Sequence, residues 1–138
     1  MMGVVVENKR EFFRLRLSIP FTFSVIESKD PRIATNQVYA HQTEDLSGGG
    51  LRFETHLSLH TGDRLQLSLH LPTMAPVKVD AEIVWSQQIQ TPEEELNIGG
   101  IKFLDIDDEE QDRIIGFLFR AQIEARKKHA EPKEAQGT

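Results

Sequence analysis

Apolar and polar residues alternate through most of this chain, and only near its C-terminus does the spacing change. Leu15, Leu17, Ile19, Phe21, Phe23 and Val25 share one parity while Arg16, Ser18, Thr22 and Ser24 share the other, which predicts a half-buried strand. Pro20 interrupts its ladder and points to an edge position or a bulge. Residues 28–36, with Asp30-Pro31, read as a loop and residues 38–43 as a second strand. Leu51 and Phe53 restart the alternation. Leu65 to Leu71, Val77 to Trp85 and Ile98 to Leu104 supply three further runs, with turn signals at Gly62-Asp63, Pro72 and Pro76. Six such strands predict a mainly β fold, a six-stranded antiparallel barrel whose closure leaves no open edge.

From Asp107 the period becomes helical. Asp107 is a candidate N-cap with Glu110 three residues on, and Ile114, Phe117, Leu118 and Ala121 then recur on one face. Ile115 and Phe119 fall beside that stripe and predict a second apolar surface. Arg126, Lys127 and Lys128 stand where a helix end favours positive charge. The expected organisation is a flexible arm over 1–14, a barrel with its C-terminal helix over 15–129, and a disordered tail over 130–138.

At 138 residues the chain is one domain with a real core. Its formal net charge of −6 argues against a nucleic acid polymer as partner, since such proteins carry a basic face. A small anion needs only local positive potential, and Lys9, Arg10, Arg14 and Arg16 provide that in one short segment. With no cysteine, disulfides and thiolate chemistry are excluded. No apolar run is long enough for a signal peptide or a membrane span, so a cytoplasmic location without membrane insertion is expected. A monomer or weak dimer is expected as well. The doubled methionine at the start leaves open that this is a module of a longer protein.

Two short motifs carry the chemistry. Arg10 and Arg14 form an RxxxR spacing, and Asp45-Leu46-Ser47-Gly48-Gly49-Gly50 follows, each motif beside strand-like sequence. Arginine offers a planar, permanently charged fork for phosphate oxygens or the O6/N7 edge of guanine, and a carboxylate accepts protons from guanine. In the second motif Asp and Ser bond nearby backbone, and glycine is expected to supply a positive φ at Gly50. Read as RxxxR followed by DxSxxG, the pair resembles the signature of PilZ domains, receptors for the bacterial second messenger cyclic di-GMP. The run from Arg113 to Arg126 is similar to the terminal helix of YcgR-type PilZ domains.

The resemblance implies a PilZ-type barrel with a C-terminal helix and a chain that binds cyclic di-GMP. It would pass the signal by a conformational change to an unidentified effector protein controlling motility, biofilm or exopolysaccharide. It implies Arg10 and Arg14 as ligand-gripping forks, Asp45 and Ser47 as the guanine-contacting pair, and Gly50 as the glycine of the turn. Lys9, the basic residue before RxxxR, implies two ligands per chain. Phe12 and Phe13 are either base-stacking groups or a plug against the barrel.

Nothing here predicts an enzyme, a metal or a cofactor. His56 and His60 lie in loop or strand, where i,i+4 residues stand about 13 Å apart, too far to share one zinc. The acidic run Asp105 to Glu110 lacks calcium-loop spacing and reads as helix-start charge. Trp85, in line with Ile83, reads as core or barrel rim. The alternatives to a cyclic di-GMP receptor are a ligand-independent protein-interaction barrel and a barrel for single-stranded RNA, the latter opposed by the acidic charge.

Overall fold

The computed structural model describes residues 13–137. Seven strands run β1 (Arg14–Leu15), β2 (Pro20–Glu27), β3 (Val38–Ser47), β4 (Gly50–Thr55), β5 (Arg64–Leu69), β6 (Val77–Gln90) and β7 (Glu95–Leu104), followed by one helix, α1 (Asp108–Gly137). Every pairing is antiparallel. The order β3-β2-β5-β6-β7-β4 is closed by β4 pairing back to β3, so the expected six-stranded barrel is observed. No helix among the described residues is long and apolar enough to cross a membrane.

The first alternating run is not one strand. Both of its halves pair with β3, Arg14 and Leu15 against Ser47 and Leu46, and residues 20–24 against residues 38–42. Between them the chain leaves the ladder and Thr43 fills the gap. Its hydroxyl donates to the Leu17 carbonyl at 2.7 Å and accepts the Ile19 N–H at 2.9 Å, while its own N–H donates to the Ile19 carbonyl at 2.9 Å. Pro20 then opens β2, a strand position that needs no donor from it.

Inside the barrel Phe21, Phe23 and Phe53 meet edge to face at 5.4 and 5.7 Å. His41 enters the same cluster 5.5 Å from Phe53, with Nε2 at 2.9 Å from the Thr55 hydroxyl. Burial, with a smaller contribution from His56, holds its imidazole below the usual pKa. On α1, Ile114 and Leu118 are fully buried. Burying each of these side chains is worth about 1.5–3 kcal/mol.

Three elements depart from the sequence reading. The strands β6 and β7 extend into a hairpin that reaches Gln90 and Glu95, closed by Thr91 and Glu94. Beyond Ile83 the residues of β6 are largely exposed, so this ribbon has no buried face and leaves no alternation to read. The helix continues past Arg126–Lys128, which therefore do not form its last turn, and its backbone runs through Gly137 into the segment expected as a tail. Trp85 is not in the core: a register shift between Ile83 and Trp85 makes Val84 an extra residue and turns Trp85 to the outer face, 41% exposed.

Candidate functional site

The corner between β3 and β4 is built around one hydroxyl. Ser47 is fully buried, and its Oγ accepts the N–H groups of Gly49 at 3.2 Å and Gly50 at 3.1 Å while donating to the Gly50 carbonyl at 3.2 Å. This saturates it and fixes the turn. Gly50 does not have the expected positive φ; among the described glycines only Gly62 does. Glycine is required there for a different reason. A Cβ on Gly50 would lie 2.0 Å from the Ile101 carbonyl oxygen, so only a bare backbone lets β4 pass β7 at this point.

The helix rests on the same corner. Gln111 Nε2 donates to the Gly48 carbonyl at 2.9 Å, and a Cβ on Gly48 would meet Ile115 at 2.8 Å. Part of the expected second apolar surface is thereby used inside the molecule. Phe119 remains 52% exposed and stacks on Phe13 at 4.7 Å, which makes Phe13 a plug against the helix.

Two bulges aim the polar groups. In β3 the register shifts between Thr43 and Asp45, so Glu44 is the extra residue and Asp45 pairs with Arg52 on the outer face. Arg52 in turn pairs with Gly100, and the β6 bulge pairs Gly100 with Trp85. The result is a row across four strands: Asp45, Arg52, Gly100, Trp85. The missing side chain at Gly100 is filled by the indole, since a Cβ there would lie 2.1 Å from Trp85 Nε1.

Arg14 completes the row from β1. Its Nη1 donates to Asp45 Oδ1 at 2.5 Å, joining residues thirty-one positions apart; the Asp45 side chain is 14% exposed and that of Arg14 44%. Among the described residues the Arg14 guanidinium meets no other acceptor. Arg14, Asp45, Arg52 and Trp85 line a groove of about 330 Å³, and a second of about 550 Å³, lined by Arg14, Ser47, Lys102 and Gln111, adjoins it. Both volumes fall within the range of about 300–1,000 Å³ that holds small ligands.

Beside the groove Arg52 Nε donates to Glu44 Oε1 at 3.0 Å. Glu44 also shares a hydrogen bond with Glu54, which raises the Glu54 carboxyl above its usual value, aided by burial and the Glu44 charge. Burial alone would raise Glu44 too, but its hydrogen bonds with Glu54 and Arg52 outweigh that and hold it low.

Of the residues expected at the site, Arg14, Asp45, Ser47 and Gly50 are brought together, Ser47 and Gly50 as framework and Arg14 and Asp45 facing the groove. Lys9 and Arg10, with Phe12, lie outside the described residues. Arg52 and Trp85 were missed, and the one available signal was the run Ile83-Val84-Trp85, where three large apolar residues break strict alternation. His56 and His60 go to different partners, the Glu95 carbonyl and Asp30.

The helix-capped closed barrel, with an arginine fork and a carboxylate at its DxSxxG corner, defines a PilZ-type domain. The PilZ domain sequence model matches residues 8–120, and the chain belongs to the PilZ domain family. Its fold is similar to that of the Bacillus subtilis inhibitor of motility MotI/DgrA, at TM-score 0.65 and 17% identity over 85% of this chain and 53% of that one. It is similar also to Escherichia coli YcgR in complex with c-di-GMP, at TM-score 0.66 and 19% identity over 89% and 50% of the two chains. The K. pneumonia MrkH–c-di-GMP complex matches at TM-score 0.65 and 19% identity over 84% and 53%. The chain thus spans about half the length of these neighbours. Comparison with curated proteins gives no match.

Proposed function

We propose that this chain is a receptor for cyclic di-GMP that hands the signal to an effector protein. The observation that carries the reading is the meeting of Arg14 and Asp45 at a groove whose far side is the exposed indole of Trp85. A guanine stacked on the indole presents its donor edge to a carboxylate and its O6/N7 edge or phosphate to a guanidinium, and this site offers each group. Asp45 reads the base. Arg14, already oriented by Asp45, needs little reorganisation to grip the ligand. Ser47 and Gly50 hold the corner to which Asp45 belongs.

Lys9 and Arg10 are assigned to the ligand on the RxxxR motif alone, and Lys9 favours a stoichiometry of two ligands per chain. Membership of the PilZ family and the likeness to YcgR and MrkH in their c-di-GMP complexes support the choice of cyclic di-GMP. The likeness to MotI, an inhibitor of motility, supports an output in motility. The route out of the site is the helix. Phe13, adjacent to Arg14, stacks on Phe119, and Gly48 of the corner is hydrogen-bonded to Gln111, so a shift of Arg14 or of the corner is felt on α1.

Calorimetry with cyclic di-GMP, with GTP and cyclic AMP as controls, tests the reading. Binding selective for cyclic di-GMP is expected, and Arg14→Ala should weaken it by about 2–5 kcal/mol, roughly thirtyfold or more. Affinity no better than for GTP overturns it.

A further inference from the structure

The cross-strand row contains one cation that neither motif accounts for. Arg52 pairs with Asp45 on one side and with Gly100 on the other, so by strand spacing it stands between Asp45, one strand or about 5 Å away, and Trp85, two strands or about 10 Å away. Any flat ligand that reaches from Asp45 to Trp85 passes over it. Its side chain is 44% exposed and lines the same groove as both.

Arg52 is held by a group that a ligand can replace. Its Nε donates to Glu44 Oε1, and Glu44 is the one acceptor its guanidinium meets among the described residues. A guanidinium carries five donors, so most of its fork remains for an incoming anion. Glu44 is placed there by the β3 bulge that also aims Asp45, and it is further engaged by Glu54. The pair is half-exposed, a setting in which an ion pair contributes only about 0–1 kcal/mol and is easily exchanged.

We propose that Arg52 is a further ligand-contacting residue of this site, parked on Glu44 while the groove is empty and transferred to a ligand phosphate or base edge when it fills. The proposal rests on the cyclic di-GMP reading above. Glu44 is then an internal competitor for Arg52. Arginine rather than lysine suits the role, because a planar fork can bind an anion with one edge or lie flat against a base beside the indole.

Calorimetry with cyclic di-GMP on wild type, Arg52→Gln, Arg52→Lys, Glu44→Gln and the Glu44→Gln/Arg52→Gln double variant tests it, with melting curves to show that each variant folds. Arg52→Gln should bind about tenfold or more weakly, the scale of a charged hydrogen bond, with Arg52→Lys between it and wild type. Glu44→Gln should bind about two- to fivefold more tightly, since the competing ion pair is gone. In the double variant that gain should vanish. Equal affinity of wild type and Arg52→Gln overturns the proposal while leaving the cyclic di-GMP reading intact. Tightening by Glu44→Gln that persists without Arg52 overturns the exchange, because Glu44 would then act only as a nearby charge. A wild type that does not prefer cyclic di-GMP to GTP removes the underlying reading and the proposal together.

Discussion

The two ends of β3 each carry a carboxylate–arginine cluster beside a cavity, yet they are built to opposite effect. Around the loop before Val38, Asp30 accepts the backbone N–H of Arg32 at 2.9 Å and its Nε and Nη2 at 3.0 Å, with His60 Nε2 at 3.1 Å. Those hydrogen bonds, led by the Arg32 side chain, hold the Asp30 carboxyl far below the usual range. At the other end Asp45 has one charged partner, Arg14, whose fork otherwise faces a groove. The cavity beside Asp30, about 450 Å³, falls in size between the two adjoining grooves at Arg14, about 330 and 550 Å³. Cavity size therefore does not separate the two ends. What does is the count of charged donors and acceptors left unspent, because a cluster that satisfies itself offers a ligand nothing it does not already have.

The sharpest break in this comparison comes from glycine. Gly50→Val places a β-branched side chain against the Ile101 carbonyl and should cost about 3 kcal/mol or more in denaturant unfolding, taking ligand binding with it. At the other end Gly62 has a φ of 98° and open space around its Cβ position, so a side chain added there is strained rather than crowded. Gly62→Ala should cost only about 1 kcal/mol and leave affinity unchanged. Gly50→Val melting with wild type shows that β4 can move away from β7.

Between these in size lies a crossed pair of carboxylate variants. Asp45→Ala should lose about 1–3 kcal/mol of cyclic di-GMP binding with a melting temperature close to wild type. Asp30→Asn should do the reverse, lowering the melting temperature with affinity unchanged. If both variants lose affinity equally, the two ends are not functionally distinct.

The smallest effect is a pH slope from His41. Its folded pKa is depressed, chiefly by burial, so the unfolded chain takes up a proton near pH 6.5 that the folded chain refuses until lower pH. Stability from this group is complete above that value and declines as pH falls toward the folded pKa. Urea unfolding of wild type and His41→Phe at about pH 8 and about pH 5.5 measures it, and a slope retained in the variant assigns the effect elsewhere.

The parts of the fold legible in the sequence are those where one face is buried. Phe21, Phe23 and Val25, or Leu65, Leu67 and Leu69, alternate because every second side chain enters the core. A bulge has no comparable signature. Nothing around Glu44 announces an extra residue, and the one trace at Val84 is the unbroken apolar run Ile83-Val84-Trp85, so Trp85 reads as an extension of the Ile83 face when it lies on the other. The approach of Arg14 to Asp45 was legible because the motif names both. The reason for Gly50 was not, since the atom that excludes a side chain belongs to Ile101, a strand remote in sequence.

The indole over Gly100 also makes the molecule its own instrument. The chain has one tryptophan and one tyrosine, and they fall in the two regions compared above: Trp85 in the cross-strand row beside the groove, and Tyr39 beside Arg32 at the other end of β3. A guanine stacked on Trp85, as the proposed function has it, would quench its emission, whereas Tyr39, 5.3 Å from Phe23, would sense the packing of the barrel. Site occupancy and barrel integrity can thus be followed in one unlabelled sample, with tyrosine emission as the built-in control for tryptophan.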